Sequence, residues 1–190
     1  MKSIIRPALT LFFALTFICC VIYPLAITGI GQVAFSNEVD GSVVTRGGQP
    51  VGSTLIGQSF SSPRYFWGRP SATSPMPNNP TSSSGSNLGP INPALIDAVK
   101  GRIDALKAAD PGNTAAIPVD LVTASASGLD PEISLAAAYY QVPRVARERK
   151  LTVEQVRSTI EQHSEQQYFG FLGEPRVNVL ALNLALDGSS

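Results

Sequence analysis

The stretch that decides the architecture is ALTLFFALTFICCVIYPLAIT, Ala8 to Thr28. It lies within a longer apolar run, Pro7 to Phe35, and no charged residue occurs between Arg6 and Glu38. An α-helix rises ~1.5 Å per residue, so roughly 20 apolar residues cross a hydrocarbon layer of ~30 Å. A helix buried in a soluble core would show a polar face at helical spacing, and this stretch shows none. A membrane span over residues 8–30 follows, with residues 1–7 before it and one domain, residues 36–190, after it.

Lys2 and Arg6 precede the span, and Glu38 and Asp40 follow it. Basic flanks stay in the cytoplasm, which places the N-terminus inside and the domain outside. A cleaved signal peptide is the rival, but its apolar region is about 7–15 residues long. AITGIG (Ala26 to Gly31) is a poor cleavage site, and Thr16, Phe17 and Ile18 before Cys19 do not suit lipoprotein processing. Pro24 removes one helical hydrogen bond and predicts a kink. Ala26, Gly29 and Gly31 keep the outer end thin, which lets a second membrane helix approach closely.

About 150 residues remain beyond the span, enough for one hydrophobic core. The chain carries 14 basic and 14 acidic side chains and no basic cluster, which excludes nucleic acid as the expected partner. Both cysteines, Cys19 and Cys20, lie in the span. The exported part must therefore fold by packing, without a disulfide or a thiolate metal site.

Ser42–Arg46 and Val51–Gln58 read as strands, joined by a Gly47-Gly48 turn that tolerates positive φ. RYFWGRPSAT (Arg64 to Thr73) sets three aromatics between two arginines. Exposed, it would be a recognition patch; with so few aromatics available, filling the core is the expected use. Residues 73–90 (TSPMPNNPTSSSGSNLGP) have the composition of a flexible loop. Asn92-Pro93 caps a helix reaching about Ala108, with Leu95, Val99, Ile103 and Leu106 on one side, and Asp110-Pro111-Gly112 ends it.

Val119–Ala124 reads as a buried strand entering the turn SASG (Ser125 to Gly128), which lacks the lysine and glycine spacing of a phosphate loop. Asp130 and Glu132 are close in sequence, the wrong arrangement for carboxylates flanking a sugar, so turn and cap duty is expected. A helix spans Leu135–Gln141, and Pro143 opens a new turn after a bend. Arg144 and Arg147 share a helix face, with Glu148 within pairing distance of Arg144. Thr152 and Gln155 form a capping box for a helix to about Gln166. His163 is surrounded by solvating residues and has no catalytic partner in sequence. Gly173–Asp187 alternates like a strand, yet it also fits a helix capped by Asn178 with Val179, Leu182 and Leu186 on one face; helix is preferred for its Ala and Leu content.

No nucleophile–base pair, metal cluster or nucleotide loop emerges, so a binding or structural subunit is expected. The segments GQVAF (31–35), GSTLIGQSF (52–60), RYFWGRPSAT, SGSNLGPINP (84–93), DLVTASASGLDPEIS (120–134), QVPRVARERK (141–150) and GEPRVNVLALNLALD (173–187) span nearly the whole chain. In that order they resemble the C-subunit family of the Kdp-type potassium-transporting ATPases. Many members have His and Pro where this chain has Glu132 and Leu135.

The resemblance implies a single N-terminal transmembrane helix followed by one α+β extracytoplasmic domain, in the inner membrane of a bacterium. It implies an accessory subunit of a high-affinity potassium uptake pump, not an enzyme itself. The implied partners are a P-type ATPase catalytic subunit, a channel-like potassium-binding subunit and a small membrane subunit. No cofactor is expected on this chain; ATP and potassium are handled by the complex. Such subunits are described as catalytic chaperones that raise ATP affinity. ATP is cytoplasmic and the domain is outside, so that effect has to be allosteric, through the membrane partners. Alternatively the domain covers the potassium entrance. One span cannot enclose a pore.

Partner contacts are expected at Gly29, Gly31, Gln58, Phe60, Tyr65, Phe66, Arg69, Asn87, Asp130, Gln141, Arg144, Arg147 and Asn178. Two alternatives come from other classes. One is a membrane-anchored cell-wall hydrolase using Asp130 and Glu132, and the other is a solitary binding domain using Arg64–Arg69.

Overall fold

Residues 2–188 are described by a computed structural model, and the chain divides into two units between Val43 and Val44. In the first unit, α1 (Lys2–Phe17), one π-helical turn (Ile18–Ile22) and α2 (Tyr23–Ala34) follow without a gap. The apolar part, Ile4–Ala34, has 31 residues. At the helical rise that is ~46 Å, longer than the hydrocarbon layer and than the expected stretch 8–30. Leu11, Phe12, Phe13 and Leu25 are each more than 60% exposed, and protein covers none of the most apolar window. Only hydrocarbon satisfies such a surface, with every backbone group bonded within the helix. This is the membrane span.

Pro24 sits one residue past the π turn, where the Tyr23 N–H donates to Ile18 O. The widened turn is how this helix absorbs the missing donor. A short α3 (Ser36–Val39) follows the span; nothing in the apolar pattern announced it.

β1 (Val43–Arg46) runs across the division between the two units and is followed by β2 (Gln49–Ser53), with Gly47 and Gly48 at φ +58° and +79° between them. Paired positive φ values define the turn expected from the glycine pair. The second strand starts and ends earlier than Val51–Gln58, because the chain turns after Ser53 and Gly57 N–H bonds Leu129 O instead. α4 (Pro93–Ala109) is capped by Asn92, whose side chain accepts from Ala94 N–H, and Leu106 is its buried residue. The expected strand 119–124 is absent. Val119–Leu121 is a 3₁₀ turn, Val119 is exposed, and only Leu121 and Val122 enter the core. A short apolar run does not separate strand from turn by periodicity.

β3 (Glu132–Ser134) leads directly into α5 (Leu135–Arg149), whose N-cap is the Ser134 side chain on Ala137 N–H. α5 continues through Pro143, where the helix was expected to stop at Gln141 and a new turn to start. The proline is on the exposed side, while Ala137, Ala138, Val142, Val145 and Ala146 are buried and hold both halves in place. Packing outweighs the lost hydrogen bond.

α6 (Val153–His163) has the full Thr152/Gln155 capping box. It ends three residues short of Gln166, because β4 (Ser164–Glu165) pairs with β5 (Arg176–Asn178). The tail is therefore both things its pattern allowed. β5 is a strand, and α7 (Val179–Gly188) begins after Asn178, whose Oδ1 accepts from Ala181 N–H.

The three-stranded antiparallel sheet has the order β3-β5-β4, with Ile133 opposite Val177. These two side chains face the core with Val156 and Ile160 of α6 and Leu182 and Leu186 of α7. The opposite face carries Arg176, bonded to Glu132 at 2.8 Å and Glu165 at 2.7 Å. Loop 73–90 is more tightly held than its composition suggested. Thr73 Oγ1 accepts from Asn79 N–H and donates to Met76 O, and Ser71 Oγ donates to Gly128 O while accepting from Asn78 N–H. Small polar side chains here substitute for secondary structure.

Candidate functional site

The segment Arg64–Thr73 has no regular structure, yet Phe66 within it is fully buried. Buried backbone polar groups need partners. Two amide side chains supply them as a strand would. Asn183 of α7 accepts from Phe66 N–H at 2.8 Å and donates to Phe66 O at 3.0 Å. Gln141 of α5 accepts from Trp67 N–H at 2.8 Å and donates to Trp67 O at 3.1 Å.

Arg144, one turn after Gln141, donates to Pro63 O, to Tyr65 O at 3.0 Å and to Gln141 Oε1 at 2.6 Å. Its guanidinium also lies 4.4 Å from the Trp67 ring centroid, a cation–π contact. Burial pushes the Arg144 pKa down to about 10. Asp110 and Glu148 oppose that fall and Arg147 adds to it. Arg144 stays charged at neutral pH.

On the outer side of this segment lies a cleft of about 320 Å³, lined among others by Gln58, Phe60, Trp67, Arg69, Arg102 and Leu106. Arg69 bonds Asp130 Oδ2 at 2.9 Å, and its Nε is buried without a hydrogen-bond partner among the described residues. Asp130 Oδ1 accepts from Glu132 N–H, and Glu132 is held by Arg176. Asp130 thus serves the turn, as its sequence context predicted, whereas Glu132 stands in β3 and pairs with Arg176 instead of serving a turn or cap. The SASG turn is likewise occupied. Ser125 Oγ accepts from Gly128 N–H, and Gly128 O accepts from Ser71 and Asn78.

The structure brings Gln58, Phe60, Tyr65, Phe66, Arg69, Asp130, Gln141 and Arg144 into the segment and its supports. Phe66, Gln141 and Arg144 are buried there and are not open to another chain, whereas Gln58, Phe60, Tyr65 and Arg69 are half-exposed. Asn178 bonds Thr54 O and caps α7. Asn87 is exposed at φ +52°. Arg147 is exposed and pairs with Asp110 at 2.7 Å and Glu148 at 3.2 Å. Glu148 therefore bonds Arg147 instead of Arg144. In the first unit, a Cβ on Gly31 would come 3.0 Å from Val39, whereas Gly29 has nothing within 4 Å. His163 is exposed and its Nδ1 lies 3.0 Å from Thr159 O.

Sequence reading missed Asn183, Arg149 and Asp187. Asp187 receives Arg149 at 2.9 Å, Arg46 at 3.3 Å and the Tyr65 hydroxyl at 3.2 Å, joining α7 to α5, the hairpin and the aromatic segment. The one available signal was Asn183 itself, an amide set among the leucines of an otherwise apolar helix.

The whole chain also has relatives. The family model described as KdpC, K+-transporting ATPase, c chain, matches residues 5–188. A protein named potassium-transporting ATPase KdpC subunit from Janthinobacterium sp. (strain Marseille) is 72% identical, over 98% of this chain and 99% of its own. One of the same name from Herminiimonas arsenicoxydans is 73% identical over 98% of each chain. Another, from Dechloromonas aromatica (strain RCB), is 62% identical over the full length of both.

Proposed function

The chain belongs to the KdpC family of K+-transporting ATPase c chains, and from that premise we propose that it works as a non-catalytic partner acting on the pump from outside the membrane. It is an accessory subunit of the potassium-transporting ATPase complex, held in the inner membrane by one span with its α+β domain outside. Its partners are a P-type ATPase subunit, a channel-like potassium-binding subunit and a small membrane subunit. The open surface at Gly29 accepts a partner helix, and the half-exposed rim of the aromatic segment meets an outer loop of the channel-like subunit.

The observation that carries this reading is the match over residues 5–188, which takes in both span and domain. An influence on ATP affinity then passes through the membrane partners, because only residues 1–7 lie on the cytoplasmic side. The test is potassium-stimulated ATP hydrolysis by complexes purified with and without this chain. Without it, activity at limiting ATP is expected to fall and the KM for ATP to rise. Unchanged kinetics would overturn the accessory role.

Topology has its own test. External protease on spheroplasts is expected to remove a tag placed after Ser190 and to leave a small protected N-terminal piece containing the span. Protection of that tag would reverse the assignment of residues 36–190 to the outside.

A further inference from the structure

Between β4 and β5 the chain forms a small hairpin, QYFGFLG, whose apolar side chains point away from the core. Phe169 is 87% exposed, Phe171 73%, Tyr168 60% and Leu172 49%. Other exposed apolar residues of the domain, such as Leu55 and Ile91, are isolated in sequence from one another. Here four fall within five positions, with the two phenylalanine rings 6.5 Å apart. Contiguous exposed aromatics mark an interaction surface.

The hairpin is held in one shape. Tyr168 and Leu172 exchange backbone hydrogen bonds, each 2.9 Å. Gln167 Nε2 donates to Gly173 O at 3.0 Å. Phe169 and Gly170 both adopt positive φ, +55° and +76°. A phenylalanine in that region costs about 1–2 kcal/mol, and beyond the Phe171 ring its 87% exposed side chain has little packing to offset that.

We propose that this hairpin is a docking knob for another subunit of the pump, seating Phe169 and Phe171 in an apolar recess with a basic rim; this rests on the accessory-subunit reading above. Lipid is the competing surface, and charge argues against it. The residues next to the hairpin are acidic: Glu174 is exposed without an ion pair among the described residues, and Glu165 is tied to Arg176. Interfacial anchors pair aromatics with free Lys or Arg that meet anionic headgroups, and the basic residue here, Arg176, is already bonded to Glu132 and Glu165. A fixed backbone also suits a preformed protein recess, where ordering costs are met before binding, whereas lipid needs no fixed shape. The span keeps the domain near its partner, so a small aromatic anchor suffices.

The test uses the full-length chain in its complex, with the photoreactive analogue p-benzoyl-phenylalanine at Phe169. Irradiation of membranes is expected to give an adduct with another pump polypeptide, identified by mass. The double variant Phe169→Asn, Phe171→Ser, in which Asn tolerates the left-handed backbone, is expected to lower recovery of the pump subunits at least ~10-fold with no fall in the melting temperature of the chain. Adducts with lipid alone, no adduct, or undiminished recovery would overturn the docking knob while leaving the accessory role standing. Failure of the unaltered chain to recover any pump subunit would overturn both.

Discussion

Replacing Arg144 by alanine is expected to destabilise the outer domain by about 3–5 kcal/mol, read as a large drop in the urea midpoint of the full-length chain in detergent. Two backbone acceptors depend on this guanidinium, Pro63 O and Tyr65 O, while Gln141 Oε1 keeps the Trp67 N–H. Each buried acceptor left without a donor costs about 1–3 kcal/mol, and neighbours are not additive. Release of a buried charge returns part of that. The loss is large beside the ~5–15 kcal/mol that holds a domain folded.

Arg144→Lys is expected to fall between the two, since an ammonium lacks the planar fork that reaches several acceptors. Arg157→Ala, exposed and in no ion pair among the described residues, should change little and serves as the control. Equal midpoints for the Arg144 and Arg157 variants would remove Arg144 from the centre of the fold. Because burial sets the folded-state pKa of Arg144 below its ordinary value, charging it opposes folding. That penalty is fully present below pH about 10 and is relieved only as pH rises through it. Stability is therefore expected to show no dependence on this group near neutral pH.

Gly128→Ala is expected to cost about 2–4 kcal/mol, combining backbone strain with overpacking. Gly128 has φ +69°, and a Cβ there would overlap Thr73 Cγ2 and lie 2.8 Å from Ser84 O. The first atom belongs to a buried threonine, itself fixed by hydrogen bonds to Met76 and Asn79, so it has little room to retreat. The second is backbone. A thermal melt of the full-length chain should fall by roughly 5–15 °C. Gly89→Ala is the matched control, because a Cβ there meets nothing within 4 Å. Coincident melts for the two variants would show that loop 73–90 and the SASG turn do not pack as described.

Local rules explain which elements could be read in advance. Asn92-Pro93, Gly47-Gly48 and the Thr152/Gln155 box satisfy backbone groups within a few residues of themselves, and all three form as expected. Pro143 and Val119–Ala124 failed for the opposite reason. The helix through Pro143 persists because distant side chains clamp α5, and the 119–124 segment found no strand to pair with. The tail was legible as two competing patterns, and β3 decided between them by pairing with Arg176–Asn178 while leaving the rest to coil as α7.

The candidate site divides along the same line. RYFWGRPSAT, Gln141 and Arg144 stand out in the sequence by composition and phrase, but their relation does not. Gln141 lies 74 residues from Trp67 and Asn183 lies 117 from Phe66. No spacing rule links an amide to a backbone at such range.

By itself the sequence determined the span, because an uncharged apolar run of this length has one stable environment. It also determined the capped starts of α4 and α6 and the family, because capping is local and the phrases span nearly the whole chain. Only the tertiary structure decided that the aromatic segment is fixed by two buried amides and an arginine. It alone set Asp187 under the α5 arginine and left Phe169 and Phe171 outside. Those outcomes follow from which polar groups meet after the chain has packed, and the cost of burying an unpaired one is settled only there.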